Sequence, residues 1–315
     1  MFLSRTILIL SAAALATPLA AQDMREVETV RGTISVPAAP QRILVLNPAI
    51  AGSVYALGFD VLGVVQSTRA PTEEGYSSVW AEPARAAGTQ VLPWNFEGFN
   101  FEEILGHEPD LIVAGGQGRP GFLADAAYDQ LSNIAPTVFV DTTPTVWQNE
   151  LEYLAEILGR QDEADAAIAA YEDRVAEVGA AIALPPQPTV FMLSIEVDNP
   201  YFLPEDTATP LLFGDVGFEL DPVSERFPDA EAASTGDSVQ VSPEIATEAF
   251  SAPTIVLVPW SAESATVADL EANPILSRLP AVEEGNVYTV PDYAYRFDYY
   301  GALATLDVIE ETFAR

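Results

Sequence analysis

Short apolar runs alternate with amphipathic segments along most of the chain. The runs are typical of buried strands and stand at residues 42–46 (RILVL), 61–65 (VLGVV), 111–114 (LIVA), 137–140 (TVFV), 189–195 (TVFMLSI), 255–258 (IVLV) and 287–290 (VYTV). Between them, apolar residues recur every three or four positions, as on one face of a helix. This alternation of strand and helix predicts an α/β protein with mainly parallel sheets.

The longest amphipathic segment, residues 162–183, separates two such halves. Its apolar positions lie on one helical face: Ala164, Ile168, Tyr171, Val175, Val178 and Ile182. Asp162 and Glu163 suit the first turn, where the helix dipole favours negative charge. Prolines from position 185 onward prevent the helix from continuing. We therefore predict two α/β lobes, 22–161 and 185–315, joined by one long spine helix at 162–184; packing on one continuous sheet is the alternative.

Residues 1–21 have the layout of a secretory signal peptide. Arg5 precedes an apolar run, and Ala20 and Ala21 form a small-residue cleavage site before Gln22. No later apolar stretch reaches the length of about 18 residues that a membrane span needs. The chain has no cysteine, so we expect neither disulfides nor a lipid anchor. The mature protein is therefore expected in the periplasm.

The charge of the chain is strongly negative. Asp and Glu number 47 against 13 basic residues, all of them Arg, for a net charge of −34. Such a surface disfavours nucleic acid, and adaptation to a saline medium is its simplest explanation. Against this background, each Arg near a strand end is informative, because the guanidinium is a fork-shaped donor for anions.

The sequence lacks the residues that most catalytic mechanisms need. The chain has one histidine, His107, and no cysteine, so a nucleophile–base pair or a zinc site is not expected. The glycine-rich residues 115–121 lack the lysine of a phosphate-binding loop. We predict no catalytic or metal-binding residue, although an exported hydrolase that uses two carboxylates stays open as an alternative.

Aromatic and arginine side chains instead follow many of the predicted strands. This arrangement suits a large, flat, partly polar ligand held between facing loops. The predicted ligand-binding residues are Arg69, Trp94, Arg119 and Trp147 in the first half, and Tyr201, Arg226, Trp260, Tyr293, Tyr295 and Arg296 in the second.

Five stretches in a fixed order resemble a known family. They are PQRILVLNPAIAGSVYALGFDVLGV, NFEEILGHEPDLIVAGG, YDQLSNIAPTVFVD, WQNELEYLAEILGRQDEADAAIAAYEDRV and NPILSRLPAVEEGNVYTV. With this order, residues 38–313 resemble the periplasmic substrate-binding proteins of ABC importers that capture iron–siderophore complexes and cobalamin. The resemblance implies two lobes joined by one long helix.

The same resemblance implies the function and partners. The protein would be a monomeric, non-enzymatic receptor for a ferric siderophore, with cobalamin or haem as alternative cargo. It would need no cofactor, because the iron travels within the siderophore. Glu102 in NFEEIL and Glu244 in SPEI would dock on the permease dimer, although both also suit helix starts.

The loop sequences bear on the class of siderophore. Catecholate-binding relatives bring several Arg, and sometimes a His, to the pocket. Residues 202–209 contain no Arg, and Thr235 and Gly236 stand where a His would be expected. These positions favour a neutral or weakly charged hydroxamate or mixed-ligand complex.

Overall fold

The computed structural model describes residues 23–93, 95–143, 146–198, 200–228 and 237–315, and within them two five-stranded sheets form. The strands are β1 (Met24–Thr29), β2 (Gly32–Pro37), β3 (Ile43–Val45), β4 (Val61–Val65), β5 (Gln90–Leu92), β6 (Leu111–Gly115), β7 (Thr137–Val140), β8 (Thr189–Ser194), β9 (Tyr201–Phe202), β10 (Val239–Gln240), β11 (Thr254–Pro259) and β12 (Val287–Thr289). The predicted signal peptide lies outside the described residues.

The sheet of the first half is parallel throughout, in the order β5–β4–β3–β6–β7. The sheet of the second half has the order β10–β9–β8–β11–β12. Its β8, β11 and β12 are parallel, whereas β9 runs antiparallel to both of its neighbours. Strands β1 and β2 pair separately as an antiparallel hairpin.

Helices connect and cover the strands. They are α1 (Pro48–Ala56), α2 (Ala81–Ala87), α3 (Phe101–Gly106), α4 (Arg119–Ser132), α5 (Trp147–Leu158), α6 (Gln161–Ala181), α7 (Ala208–Asp215), α8 (Val223–Arg226), α9 (Pro243–Ala249), α10 (Val267–Ala272), α11 (Pro280–Glu283) and α12 (Tyr299–Phe313). Short 3-10 helices form at Ser78–Trp80, Leu276–Arg278 and Asp292–Tyr295. No helix in the described ranges is long and apolar enough to span a membrane.

Helix α6 confirms the predicted spine. It runs from Gln161 to Ala181, and Ile182 turns to an extended backbone ahead of the prolines. Ala164, Tyr171 and Val178 of the predicted apolar face are buried. The two-lobed α/β class predicted from the sequence is confirmed.

Helix α12 lies along α6, although it comes last in the chain. Arg174 of α6 donates hydrogen bonds to Asp307 at 2.7 Å and to Glu310 at 2.5 Å, both on α12. Beyond the helices, the Ala183 N–H donates to the Phe313 carbonyl at 2.8 Å. The C-terminal helix therefore packs alongside the single spine helix that joins the two lobes.

Three buried apolar clusters account for the packing of the sheets. One covers a face of each sheet and continues through α1, α5, α6 and α12. The other two each cover the opposite face of one sheet. Burial of apolar area on both faces explains why the central strands are apolar at nearly every position.

Several candidate residues lie in regular elements rather than in the loops where the sequence placed them. Arg119 is the first residue of α4, because Pro120 suits the first helical turn and allows the helix to begin there. Trp147 is the first residue of α5, and Tyr201 lies within β9. Arg226 ends the short helix α8.

Candidate functional site

Two adjoining cavities lie where the carboxyl ends of strands from both sheets face each other. This is the usual location of ligands in open α/β sheets. The outer cavity has a volume of about 270 Å³, and its walls include Arg69, Trp80, Phe96, Arg119, Trp260 and Tyr293. The inner cavity is also about 270 Å³, and its walls include Thr143, Trp147, Glu150, Leu203, Thr207 and Tyr295. Ala49, Gln117, Arg296 and Phe297 border both, so the two cavities form one cleft.

Asn47 shapes one wall of the cleft. Its side-chain oxygen accepts from the Ala49 N–H at 3.0 Å and caps α1. Its Nδ2 donates to the carbonyl oxygens of Gly115 at 2.8 Å and Gln117 at 3.0 Å. One side chain thereby fixes the turn after β6 that leads to Arg119.

Arg69 reaches from the first half of the chain to the aromatic residues of the second. Its guanidinium carbon lies 4.9 Å from the ring centre of Trp260 and 5.1 Å from that of Tyr295. Burial, together with the nearby charge of Arg296, lowers the pKa of Arg69 to about 10. The cleft therefore holds a guanidinium whose charged form a bound anion would stabilise.

Arg296 is held by a carboxylate from a distant part of the chain. It binds Asp237 in a bidentate pair, with Nε to Oδ2 at 2.5 Å and Nη2 to Oδ1 at 2.9 Å. The Tyr295 hydroxyl donates to the same Oδ1 at 2.8 Å. Hydrogen bonds with Asp237 raise the pKa of Arg296 against the effect of burial, so this guanidinium stays charged. Asp237 fixes its orientation at the junction of the two cavities.

Trp260 and Arg119 stand at the mouth of the outer cavity. Trp260 is 37% exposed; its ring centre lies 5.5 Å from that of Tyr295, 4.9 Å from the Arg69 guanidinium carbon and 5.7 Å from that of Arg296, so part of the indole stays accessible. Arg119 is exposed, and its Nη2 donates to the Phe96 carbonyl at 2.7 Å. Tyr293 is half-buried in the same wall.

Trp147 and Glu150 line the inner cavity one helical turn apart on α5. Trp147 is buried, with its ring centre 5.2 Å from that of Tyr171 and 5.6 Å from that of Tyr299. The Ser53 hydroxyl donates to Glu150 Oε1 at 2.7 Å. Burial raises the pKa of Glu150 to about 8, and that of nearby Asp298 to about 6. Asp298 also caps α12 through the Gly301 N–H at 3.0 Å.

The remaining candidates lie elsewhere or outside the described residues. Tyr201 packs against the apolar core from β9. Arg226 pairs with Asp221 at 2.6 Å and donates to the Ala249 carbonyl at 3.2 Å. Trp94 lies outside the described residues. The structure thus brings seven of the ten predicted ligand-binding residues to the cleft.

Glu102 and Glu244 occupy equivalent positions in the two halves. Each is exposed in the first turn of a short helix, α3 for Glu102 and α9 for Glu244. The Ser242 hydroxyl donates to Glu244 and lowers its pKa. Neither residue is among those that line the cleft.

A comparison with protein families decides the class of this chain. Residues 43–294, which contain both sheets, match the model of the family described as periplasmic binding protein. The chain belongs to the periplasmic binding protein family.

Known members of this family resemble the chain over nearly its whole length. It is 29% identical to the ferric enterobactin-binding periplasmic protein FepB of Escherichia coli O6:H1, over 93% of this chain and 92% of the relative. The crystal structure of holo-ViuP has a TM-score of 0.78 and 23% identity, over 92% of this chain and 95% of that one. The complex of Staphylococcus aureus SirA with staphyloferrin B has a TM-score of 0.71 and 20% identity, over 91% of this chain and 97% of that one. These two structures establish the likeness of fold.

Other residues of this periplasmic binding protein's cleft carry little signal in the sequence. Asp237 is one acid among 47, and its pairing with Arg296 spans 59 positions. Glu150 suits a first helical turn, so its place in the inner cavity is not evident from its neighbours. Gln117 follows a strand within the glycine-rich stretch, and this position could have suggested it. The described residues contain no cluster of His, Asp or Glu suited to a metal ion.

Proposed function

We propose that this chain captures a ferric siderophore in the cleft and delivers it to the permease of an ABC importer. The distribution of charge carries the proposal. The outer cavity is lined by three Arg and one Asp in a chain that has 47 acidic and 13 basic residues. An acidic protein that concentrates guanidinium groups beside open aromatic rings is suited to a flat anion.

The charge of the outer cavity supports an anionic complex, a ferric catecholate in particular. Arg69 has two aromatic contacts, and Arg119 hydrogen-bonds a carbonyl, so neither is neutralised by these contacts. Arg296 keeps its charge beside Asp237. These arginines weigh against the neutral complex that residues 202–209 favour. The ferric enterobactin-binding relative supports the same class.

The tyrosines favour a siderophore over haem. An axial tyrosine ligand has to be free and deprotonated. The hydroxyl of Tyr295 donates a hydrogen bond to Asp237, and burial raises the pKa of Tyr295. Burial also raises the pKa of Tyr293. We infer that the siderophore itself holds the iron, that no resident cofactor takes part, and that the protein performs no covalent chemistry.

Location and partners complete the proposal. The protein would act in the periplasm as a monomer without a lipid anchor. Glu102 and Glu244, one in each half, would contact positive patches on the two permease subunits. Both are exposed and neither lines the cleft, which supports this role.

Tryptophan fluorescence tests the proposed cargo. The protein is titrated with a ferric tripodal tris-catecholate, ferrichrome, haemin and cobalamin, and Arg296→Ala is compared with the surface control Arg85→Ala. We expect saturable quenching by the ferric catecholate, weakened in Arg296→Ala and retained in Arg85→Ala. Saturable binding of haemin or cobalamin, with no binding of the ferric tris-catecholate or of ferrichrome, would refute the proposal.

A further inference from the structure

Ala70 has a backbone conformation that alanine rarely adopts. Its φ of 38° lies in the left-handed region, where the β-carbon crowds the backbone. Pro71 adds a further restriction, because a proline favours an extended backbone at the residue before it. Among the described residues other than glycine, only Ala70 and Glu108 have a positive φ. Such a conformation persists only where the surrounding contacts hold it in place.

A carboxylate from the second lobe supplies one of these contacts. The Ala70 N–H donates to Asp292 Oδ2 at 3.1 Å, across 222 positions of the sequence. Within the first lobe, the Ser78 N–H donates to the Ala70 carbonyl at 2.9 Å, and the Ser67 hydroxyl donates to the Arg69 carbonyl at 2.8 Å. The backbone of this turn is therefore held from both lobes, and Asp292 ties it to the second.

The position of the Arg69 guanidinium depends on this turn. Trp260 and Tyr295 lie against the guanidinium, which makes no hydrogen bond or ion pair with any described residue. Its place in the outer cavity is therefore set by these two rings and by the backbone from which the side chain starts. Since Ala70 is the next residue, relaxation of its φ would move the Arg69 backbone relative to the rings.

The charge of Asp292 has an effect of its own. Burial and the charge of Arg296 lower the pKa of Arg69, whereas the negative charge of Asp292 acts in the opposite direction. A negative charge near the outer cavity also repels an anionic ligand. The hydrogen bond of Asp292 and its charge therefore affect anion binding in opposite directions, and substitutions can separate them.

We propose that Asp292 is a positioning residue for ligand binding: it holds Ala70 in the left-handed conformation and thereby keeps the Arg69 guanidinium in the outer cavity. The proposal rests on the function proposed above, and it gives a role in affinity to a residue that does not line the cleft. With the turn formed before the ligand arrives, a larger fraction of the protein is competent to bind the anionic chelate.

Two substitutions at Asp292 separate its hydrogen bond from its charge. Asp292→Asn keeps an acceptor and removes the charge, so its affinity for a ferric tripodal tris-catecholate should equal or exceed that of the wild-type protein. Asp292→Ala removes both and should bind about two- to twelvefold more weakly than Asp292→Asn, the equivalent of one hydrogen bond. Calorimetric titration at one ionic strength measures all three proteins. Equal affinities of the two variants would overturn the proposal.

Relief of the backbone strain provides a rescue. Ala70→Gly removes the β-carbon, so in the Asp292→Ala background it should restore part of the lost affinity. Glu108→Gly is the matched control, because Glu108 also has a positive φ but is exposed and does not line the cleft. It should leave the affinity of Asp292→Ala unchanged. Recovery with both substitutions, or with neither, would contradict the proposed role.

A double-mutant cycle with Arg69→Met distinguishes positioning from general support of the fold. If Asp292 acts through Arg69, the difference in affinity between Asp292→Asn and Asp292→Ala should disappear in the Arg69→Met background. A difference of the same size in both backgrounds would refute this inference alone. If the wild-type protein does not bind the ferric tris-catecholate, the function proposed above fails, and this inference fails with it.

Discussion

Arg69→Met separates ligand affinity from protein stability. Methionine keeps a long, flexible apolar side chain against Trp260 and Tyr295 but removes the charge and all guanidinium donors. In the wild-type protein, two aromatic contacts at 4.9 and 5.1 Å hold the guanidinium. Each is expected to contribute about 0.5–1 kcal/mol. Burial and repulsion from Arg296 act in the opposite direction, as the lowered pKa of Arg69 shows.

These opposing contributions predict a small change in the free energy of unfolding without ligand, within about 1 kcal/mol of wild type. Affinity should change far more. A hydrogen bond between charged groups contributes about 1.5–3 kcal/mol, so losing one weakens an anionic ferric catecholate about 10- to 150-fold. Urea denaturation measures the first quantity, and calorimetric titration the second. Arg85→Met serves as a surface control for both.

Stability and affinity of the Arg69→Met variant distinguish two roles of this side chain. A loss of several kcal/mol in unfolding free energy, with unchanged affinity for the ferric catecholate, would show that Arg69 is a structural link between the two halves. Weakened binding at preserved stability would place the guanidinium in the ligand site.

Three further predictions concern other parts of the molecule. Trp260→Ala should weaken ligand binding by about 2 kcal/mol, because a stacked anchor is lost, and unchanged affinity in a fluorescence titration would remove Trp260 from the site. Replacing Glu102 and Glu244 together with Ala should preserve ligand affinity and sharply reduce uptake in cells; normal uptake would leave both as helix-start carboxylates. Glu150→Gln should flatten the pH dependence of stability: burial raises this carboxyl's pKa to about 8, so its contribution to wild-type stability is fully present below its ordinary pKa of 4.5 and is lost as pH rises through 8. Thermal melts of the ligand-free protein from pH 4 to 9 measure this, and equal slopes for both proteins would contradict it.

The spine and the strands were predictable because their signals are local. The apolar face of α6 recurs within one continuous segment, and prolines follow its end. Arg69, Trp260 and Arg296 could be proposed because each follows a strand, and strand ends of a parallel sheet meet at one edge. Knowing which residues follow the predicted strands is therefore enough to predict many of the residues that line the cleft.

Long-range pairing and burial were not predictable in the same way. Nothing near Asp237 in the sequence indicates that it binds Arg296. The aromatic character of Trp147 suits a ligand contact as well as a core contact, and the structure buries its ring against Tyr171 and Tyr299. The packing of α12 against the spine was not predictable, because α12 follows the strands of the second sheet and meets α6 only in three dimensions.

The position of bound iron tests the central claim most directly. A crystal of the protein with a ferric tris-catecholate would be measured at the iron absorption edge, where anomalous scattering locates the metal. We predict one iron peak in the outer cavity, surrounded by the side chains of Arg69, Arg119 and Arg296, with every iron ligand supplied by the siderophore. An iron peak outside the cleft, or one coordinated by protein side chains, would contradict the account.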